Sequence, residues 1–194
     1  MKYTSFYFIR HGQTDWNLQK RAMGQFDIPL NATGLAQAEQ AAELLKTVEF
    51  VSIAVSPLVR AVKTAEIIAE KITQVKNISG QVPTNISIQI IDEFKECSWG
   101  DVPQMPEGWV KDWHNHVHIE GLEPWAQLVQ RVKIGLDKAF ELSGPVLIVA
   151  HGGVYWAIQD LLSLPVIEIA NCVPVYHRSP MVATESWLVR NLER

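Results

Sequence analysis

Apolar residues along this chain fall into two kinds of pattern. Residues 4–9 (TSFYFI), 51–56 (VSIAVS), 86–91 (ISIQII) and 145–150 (PVLIVA) form short runs rich in β-branched and aromatic side chains, and they predict strands. Between them, apolar positions return at helical spacing. Residues 33–47 (TGLAQAEQAAELLKT) predict a helix with Thr33 as N-cap. Residues 58–73 predict a second, in which Ala61, Ala65, Ile68 and Ile72 make one stripe. Residues 122–142 and 153–163 also read as helices, and weaker strands fall near 172–177 and 182–189. Residues 100–121 break the pattern; they are irregular, rich in Pro, Trp and His, and read as a lid insertion. Strand–helix alternation predicts an α/β fold: a three-layer α/β/α sandwich with a mostly parallel central sheet and helices on both faces. A strand near the C-terminus is a candidate for antiparallel pairing.

Composition narrows this picture little but excludes several classes. The chain has 194 residues, 47% hydrophobic and 20% charged, enough for one packed domain over residues 1–194. The net charge of −4 gives no long-range attraction to nucleic acid or anionic membrane. Cys97 and Cys172 are too few for a disulfide framework and have no metal-type spacing, so reduced thiols in a cytoplasmic protein are expected. The N-terminal "MKYTSFYFIRHG" has no signal-peptide core, and the Asn-x-Ser/Thr triplets at Asn31, Asn77 and Asn85 are read as chance.

The polar residues at the strand ends are more informative. Arg10 and His11 follow the first strand, Ser56 and Arg60 the second, Asp92, Glu93 and Glu96 the third, and His151-Gly152-Gly153 the fourth. In open α/β sheets ligands bind beyond the carboxyl ends of the strands, so all four groups point to one edge. Polar residues at a single strand end are ordinary; four together, two of them ending in His-Gly, point to chemistry. Arginine presents a planar fork that fits phosphate oxygens and keeps its charge. Two arginines and a protonated histidine can hold a phosphoryl dianion. A second, neutral histidine can attack phosphorus, and a carboxylic acid can protonate the departing oxygen. Gly12 would let backbone approach the ligand. Side chains supply the cations, so no metal or other cofactor is expected.

These residues resemble the signature of the histidine phosphatase superfamily, in its phosphoglycerate-mutase-like branch. "RHGQTDWN" is similar to its first motif, and "DIPLNATGLAQAEQAA", "SPLVRAVKTAEII", "FKECSWGD", "GLEPWAQLVQRV" and "VLIVAHGG" resemble further blocks in the same order. The resemblance implies that His11 is the phosphorylated nucleophile, that Arg10, Arg60 and His151 bind the phosphoryl group, and that Glu96 is general acid and then base. Glu93 is the competing donor; Glu96 sits in the family's Glu-x-x-aromatic-Gly register. Asn17, Thr14, Gly12, Gln13 and Glu123 would line the substrate rim. Two departures stand out: Pro124 follows Glu123 where the family commonly has Ser, and Val102-Pro103 replace a Trp-Glu.

In the lid, Trp109 and Trp113 suggest either an aromatic wall or simple packing onto the body, packing being favoured. His114, His116 and His118 suggest a metal site or plain surface histidines, the latter favoured. Residues 101–122 carry one Lys, no Arg and four acids. A mutase that must hold a small polyanion would be expected to bring more cations, so a phosphatase is expected over a phosphoglycerate mutase; a small phosphorylated metabolite is the expected substrate, and a protein phosphatase stays open as the alternative. No nucleic-acid or membrane partner is expected, and a homodimer stays open.

Overall fold

The computed structural model describes residues 4–78, 86–100, 121–182 and 184–192. The lid residues Trp109, Trp113, His114, His116 and His118 lie outside them. In chain order the elements are β1 (Phe6–Arg10), α1 (Asp15–Leu18), α2 (Ala32–Leu45), β2 (Ser52–Val55), α3 (Val59–Ile78), β3 (Ser87–Ile90), a 3-10 turn (Asp92–Phe94), α4 (Trp125–Phe140), β4 (Val146–Ala150), α5 (Gly152–Leu161), β5 (Val175–Arg178) and β6 (Leu188–Asn191). Six strands form one sheet in the order β3-β2-β4-β1-β5-β6. The first four are mutually parallel; β5 runs antiparallel to both β1 and β6.

Strand side chains alternate between faces, and this alternation divides the core in two. Phe6, Phe8, Ile148 and Ala150 pack on one face with Leu128, Val132 and Leu136 of α4 and Val154, Ala157 and Ile158 of α5. Ile9, Ile53, Val55, Leu147 and Val149 pack on the other with α2 and α3. The predicted α3 stripe is there: Ala61, Ala65 and Ile68 are fully buried and Ile72 nearly so. Its alanines let α2 and α3 lie close together, while each buried isoleucine contributes about 2 kcal/mol of transfer free energy.

Three details differ from the sequence reading. Helix α2 is capped by Asn31 rather than Thr33; its side-chain oxygen accepts from Gly34 N at 2.9 Å, and the Asn amide competes well for that place. Helix α3 continues to Ile78. All four residues of β3, at the edge of the sheet, are exposed, so an apolar run that reads as buried lies at the surface. No helix among the described residues is long and apolar enough to cross a membrane.

Candidate active site

The site follows from register. Strands β1 and β4 are parallel neighbours with Arg10 opposite Ala150, so each ends in a histidine at the same level. His11 N donates to Ala150 O at 3.0 Å, and the two imidazole centroids stand 5.1 Å apart. Helix α2, after β1, covers one face, and α5, after β4, covers the other. Adjacent strands whose helices diverge leave a crevice at their carboxyl ends.

Backbone around His11 is tied from several sides. Gly12 N donates to Thr64 Oγ1 (3.1 Å), Cys172 N to Arg10 O (2.9 Å), and Asn171 Nδ2 to His11 O (2.7 Å). Thr64 stands one turn after Arg60 on α3, and its hydroxyl in turn donates to Arg60 O. His11 Nδ1 lies 2.7 Å from Gly12 O. A carbonyl can only accept, so Nδ1 carries the proton and Nε2 keeps its lone pair. Arg60 Nε donates to that Nε2 at 3.3 Å. Burial, then Arg60 and Arg10, push the His11 pKa well below the ordinary imidazole value. It is therefore a neutral base at pH 7.

Arg60 projects from the first turn of α3 and is fully buried. Its two terminal nitrogens donate to Phe26 O and Gly24 O, both at 2.8 Å. Burial lowers its pKa to about 10, against the opposing pull of Glu96, and it remains a cation at neutral pH. Arg10 is lowered by burial too, and its Nε is buried without a hydrogen-bond partner. His151 lies directly behind His11, fully buried. Its Nε2 is 2.7 Å from Ser56 Oγ, which also accepts from Leu58 N at 3.4 Å. Burial, then Arg60, depress its pKa well below the ordinary value. Both histidines of the site are thus neutral, where the sequence reading had one of them protonated: burial disfavours the charged imidazole, and two arginines oppose a third positive charge.

Glu96 enters the same cavity from the segment after the 3-10 turn. Its carboxylate accepts from Cys97 N (2.9 Å) and Gly153 N (3.3 Å). A Cβ on Gly153 would sit 2.5 Å from Glu96 Oε1, so glycine is what allows the carboxyl group this seat at the start of α5. Burial raises the Glu96 pKa, the amides and arginines only partly offsetting it. Glu93 instead pairs with Lys138, which lowers its pKa, and it does not line the cavity. The Glu96 loop is held by Arg131 of α4, which donates to Glu93 O (2.8 Å), Lys95 O (2.6 Å) and Glu96 O (3.2 Å) and to both oxygens of Glu123 (2.7 Å each).

Arg10, His11, Arg60 and Glu96 line a cavity of about 370 Å³, with Asn17, Lys20 and Arg21 at its rim. Of the expected rim residues only Asn17 lines it. Thr14 is buried and caps α1, accepting from Asn17 N at 3.2 Å. Gln13 is turned to the start of α2, its backbone N donating to Gln37 Oε1 at 2.8 Å and its side-chain oxygen accepting from Asn31 Nδ2 at 3.1 Å. Glu123 accepts from Ser98 N and pairs with Arg131. The close approach at Gly12 is to Gly34 backbone, where a Cβ on Gly12 would lie 2.5 Å from Gly34 O. Ser56 stands at the predicted edge. Thr64, Asn171 and Arg131 were not anticipated; only Thr64 has a signal, its i+4 spacing from Arg60.

Comparison with known proteins decides the family, because residues 6–173 match the model of the histidine phosphatase superfamily (branch 1). The chain belongs to that family. Among histidine phosphatase relatives, the uncharacterized phosphatase PhoE of Bacillus subtilis is 34% identical over 193 residues, covering 97% of this chain and 93% of that one. The probable phosphoglycerate mutase GpmB of Proteus mirabilis is 29% identical over 198 residues, covering 94% and 89%. Among solved structures, mycobacterial glucosyl-3-phosphoglycerate phosphatase, complexed with VO3, superposes with a TM-score of 0.72 at 26% identity, covering 97% of each chain. The mostly parallel α/β/α sandwich is thus the histidine phosphatase fold.

Proposed function

We propose that this histidine phosphatase hydrolyses phosphomonoesters through a phosphohistidine at His11. The observation that carries the reading is His11 itself: a buried neutral imidazole with Nδ1–H fixed on Gly12 O and the Nε2 lone pair facing Arg60. In the first step Nε2 attacks phosphorus, the ester P–O bond breaks, and Glu96 gives its proton to the leaving oxygen. The raised Glu96 pKa suits a donor. The Nδ1–H bond to Gly12 O stabilises the positive charge that develops on the ring. Arg10 and Arg60 neutralise the phosphoryl oxygens. With the Ser56 hydroxyl donating to His151 Nε2, that neutral imidazole carries its own proton on the unpartnered Nδ1. In the second step Glu96 takes a proton from water, the water oxygen attacks phosphorus, and the P–N bond breaks to release phosphate.

The reading extends to a small phosphorylated metabolite as substrate and to work in the cytoplasm. Phosphoryl transfer of the mutase kind shares the first step, and the GpmB relatives favour it as a second reading. The test is hydrolysis of p-nitrophenyl phosphate with EDTA present, with acid-labile phosphoprotein trapped by rapid quench. Wild type should turn over and label, unaffected by EDTA; His11→Ala should do neither. Glu96→Gln should lose more activity on an alkyl phosphate than on the aryl ester. Turnover by His11→Ala would overturn the mechanism, and net interconversion of phosphoglycerates without hydrolysis would favour the mutase.

A further inference from the structure

Beyond Arg10 the phosphoryl cavity opens into a larger one of about 710 Å³. The two share Arg10, Gly152 and Trp156, so a molecule whose phosphoryl group sits on His11 has its remaining half at the mouth of this groove. We infer that the groove seats the alcohol half of the substrate and that this half is largely apolar, neutral or cationic rather than acidic. This rests on the hydrolysis at His11 proposed above.

The walls carry the argument. Trp125, Trp156, Leu164, Ile167 and Ile169 supply the apolar surface. Apart from Arg10, whose guanidinium turns back to Ile169 O at 3.5 Å, the charged side chains lining the groove among the described residues are Asp160 and Glu168, both acidic. A second phosphate or a carboxylate placed there meets like charge, whereas a ring or an ammonium group meets complementary surface. The volume lies in the ordinary range of small-molecule sites, about 300–1,000 Å³. The wall is also preformed. Gln159 donates through its amide nitrogen to Pro165 O (2.9 Å) and Ile167 O (3.1 Å), pinning the segment after α5 to that helix. Trp125 Nε1 donates to Asp160 Oδ2 at 3.2 Å, which holds the indole in place. A rigid site loses less entropy on binding than one that must order itself. Of the cations of the phosphoryl cavity, Arg60, Lys20 and Arg21 line only the smaller cavity and Arg10 stands where the two meet, so positive charge is concentrated on the phosphoryl side and the far wall of the groove is acidic.

The test compares kcat/KM for three esters: 1-naphthyl phosphate (neutral ring), phosphocholine (cationic) and 3-phosphoglycerate (acidic). Wild type should favour the first two over the third by at least about 10-fold, the scale of discrimination that pocket contacts supply. Ile167→Asp should lower the naphthyl value about 10-fold and the phosphocholine value less. Glu168→Lys, at an exposed position where folding is not at stake, should lower phosphocholine and raise 3-phosphoglycerate, each roughly 3-fold, with the effect shrinking as salt is added. Wild-type preference for 3-phosphoglycerate, or variants that change all three esters alike, would overturn the assignment of the groove while leaving hydrolysis at His11 intact. Wild type inert toward all three, with no phosphoprotein trapped, would remove both.

Discussion

Gly34→Ala is a sharp test of how His11, the proposed nucleophile, is held. Alanine for glycine within a helix ordinarily stabilises by about 1 kcal/mol, and Gly34 is the third residue of α2. The packing predicts the opposite sign. A Cβ at Gly34 would stand 2.8 Å from Gln13 N and 3.0 Å from Gln13 C, and nearer still to Gln13 O. Ordinary carbon–oxygen contacts lie at about 3.3 Å or more, so the two backbones must part by about 1 Å. Gln13 is held there by Asn31 N donating to its carbonyl (3.0 Å) and by its own amide on Gln37 Oε1 (2.8 Å). Losing or stretching these bonds costs about 1–3 kcal/mol, and overpacking costs about as much again. After the helix gain is subtracted, the net destabilisation is about 1–5 kcal/mol, a fall in Tm of roughly 2–20 °C for a chain of this size. Gln13 is two residues from His11, and a displacement of about 1 Å at a reacting group is worth about 100-fold in rate. The assay is thermal unfolding beside p-nitrophenyl phosphate turnover at 25 °C. A variant with unchanged or raised Tm and near-wild-type kcat/KM would refute the argument.

Two further predictions concern buried charge. Arg131→Met takes the guanidinium away from Glu123, in a pair whose side chains are only 21% and 12% exposed. It should destabilise by about 3–5 kcal/mol in urea unfolding. Arg131→Met/Glu123→Leu should recover much of that stability but not the activity on poor leaving groups, since the Glu96 loop still lacks its clasp. His177 is buried, accepts or donates at 3.1 Å with Tyr155 Oη, and has its pKa lowered by burial to about 4. The unfolded chain binds this proton at about pH 6.5, so the neutral native histidine is fully favourable above that pH and its advantage is lost as pH falls toward 4, to a total of about 3 kcal/mol. His177→Gln should flatten the slope of urea stability between pH 7 and 4 relative to wild type; an unchanged slope would refute the assignment.

What was legible in the sequence follows physical range. Strand runs such as VLIVA, and charged residues abruptly following them, are local signals, and the strand-end rule turned four of them into one site. Glu96 stood out by register with Trp99 and Gly100, and its place in the cavity separates it from Glu93, which pairs with Lys138. The N-cap of α2 was misplaced because Asn31 and Thr33 both carry cap-forming side chains, and only the backbone conformation at Asn31 chooses. The supports of the site were hidden for a different reason. Asn171 to His11 and Arg131 to Glu96 are contacts that only the completed sheet brings together. The resemblance places Gln13, Thr14 and Glu123 at the substrate rim, whereas in the fold their polar atoms bond neighbouring backbone or side-chain groups.

The ladder between β1 and β4 makes the spacing of the two histidines a discrete quantity. A slip of one residue would shift His11 by about 3.3 Å and turn its side chain to the opposite face, so intermediate geometries have no hydrogen-bonded structure to occupy. Core substitutions that loosen this sheet should therefore change how many molecules are folded before they change how well each folded molecule works. Loss of activity in such variants would track the unfolded fraction, and sequence drift in the apolar core could proceed far without detuning the chemistry.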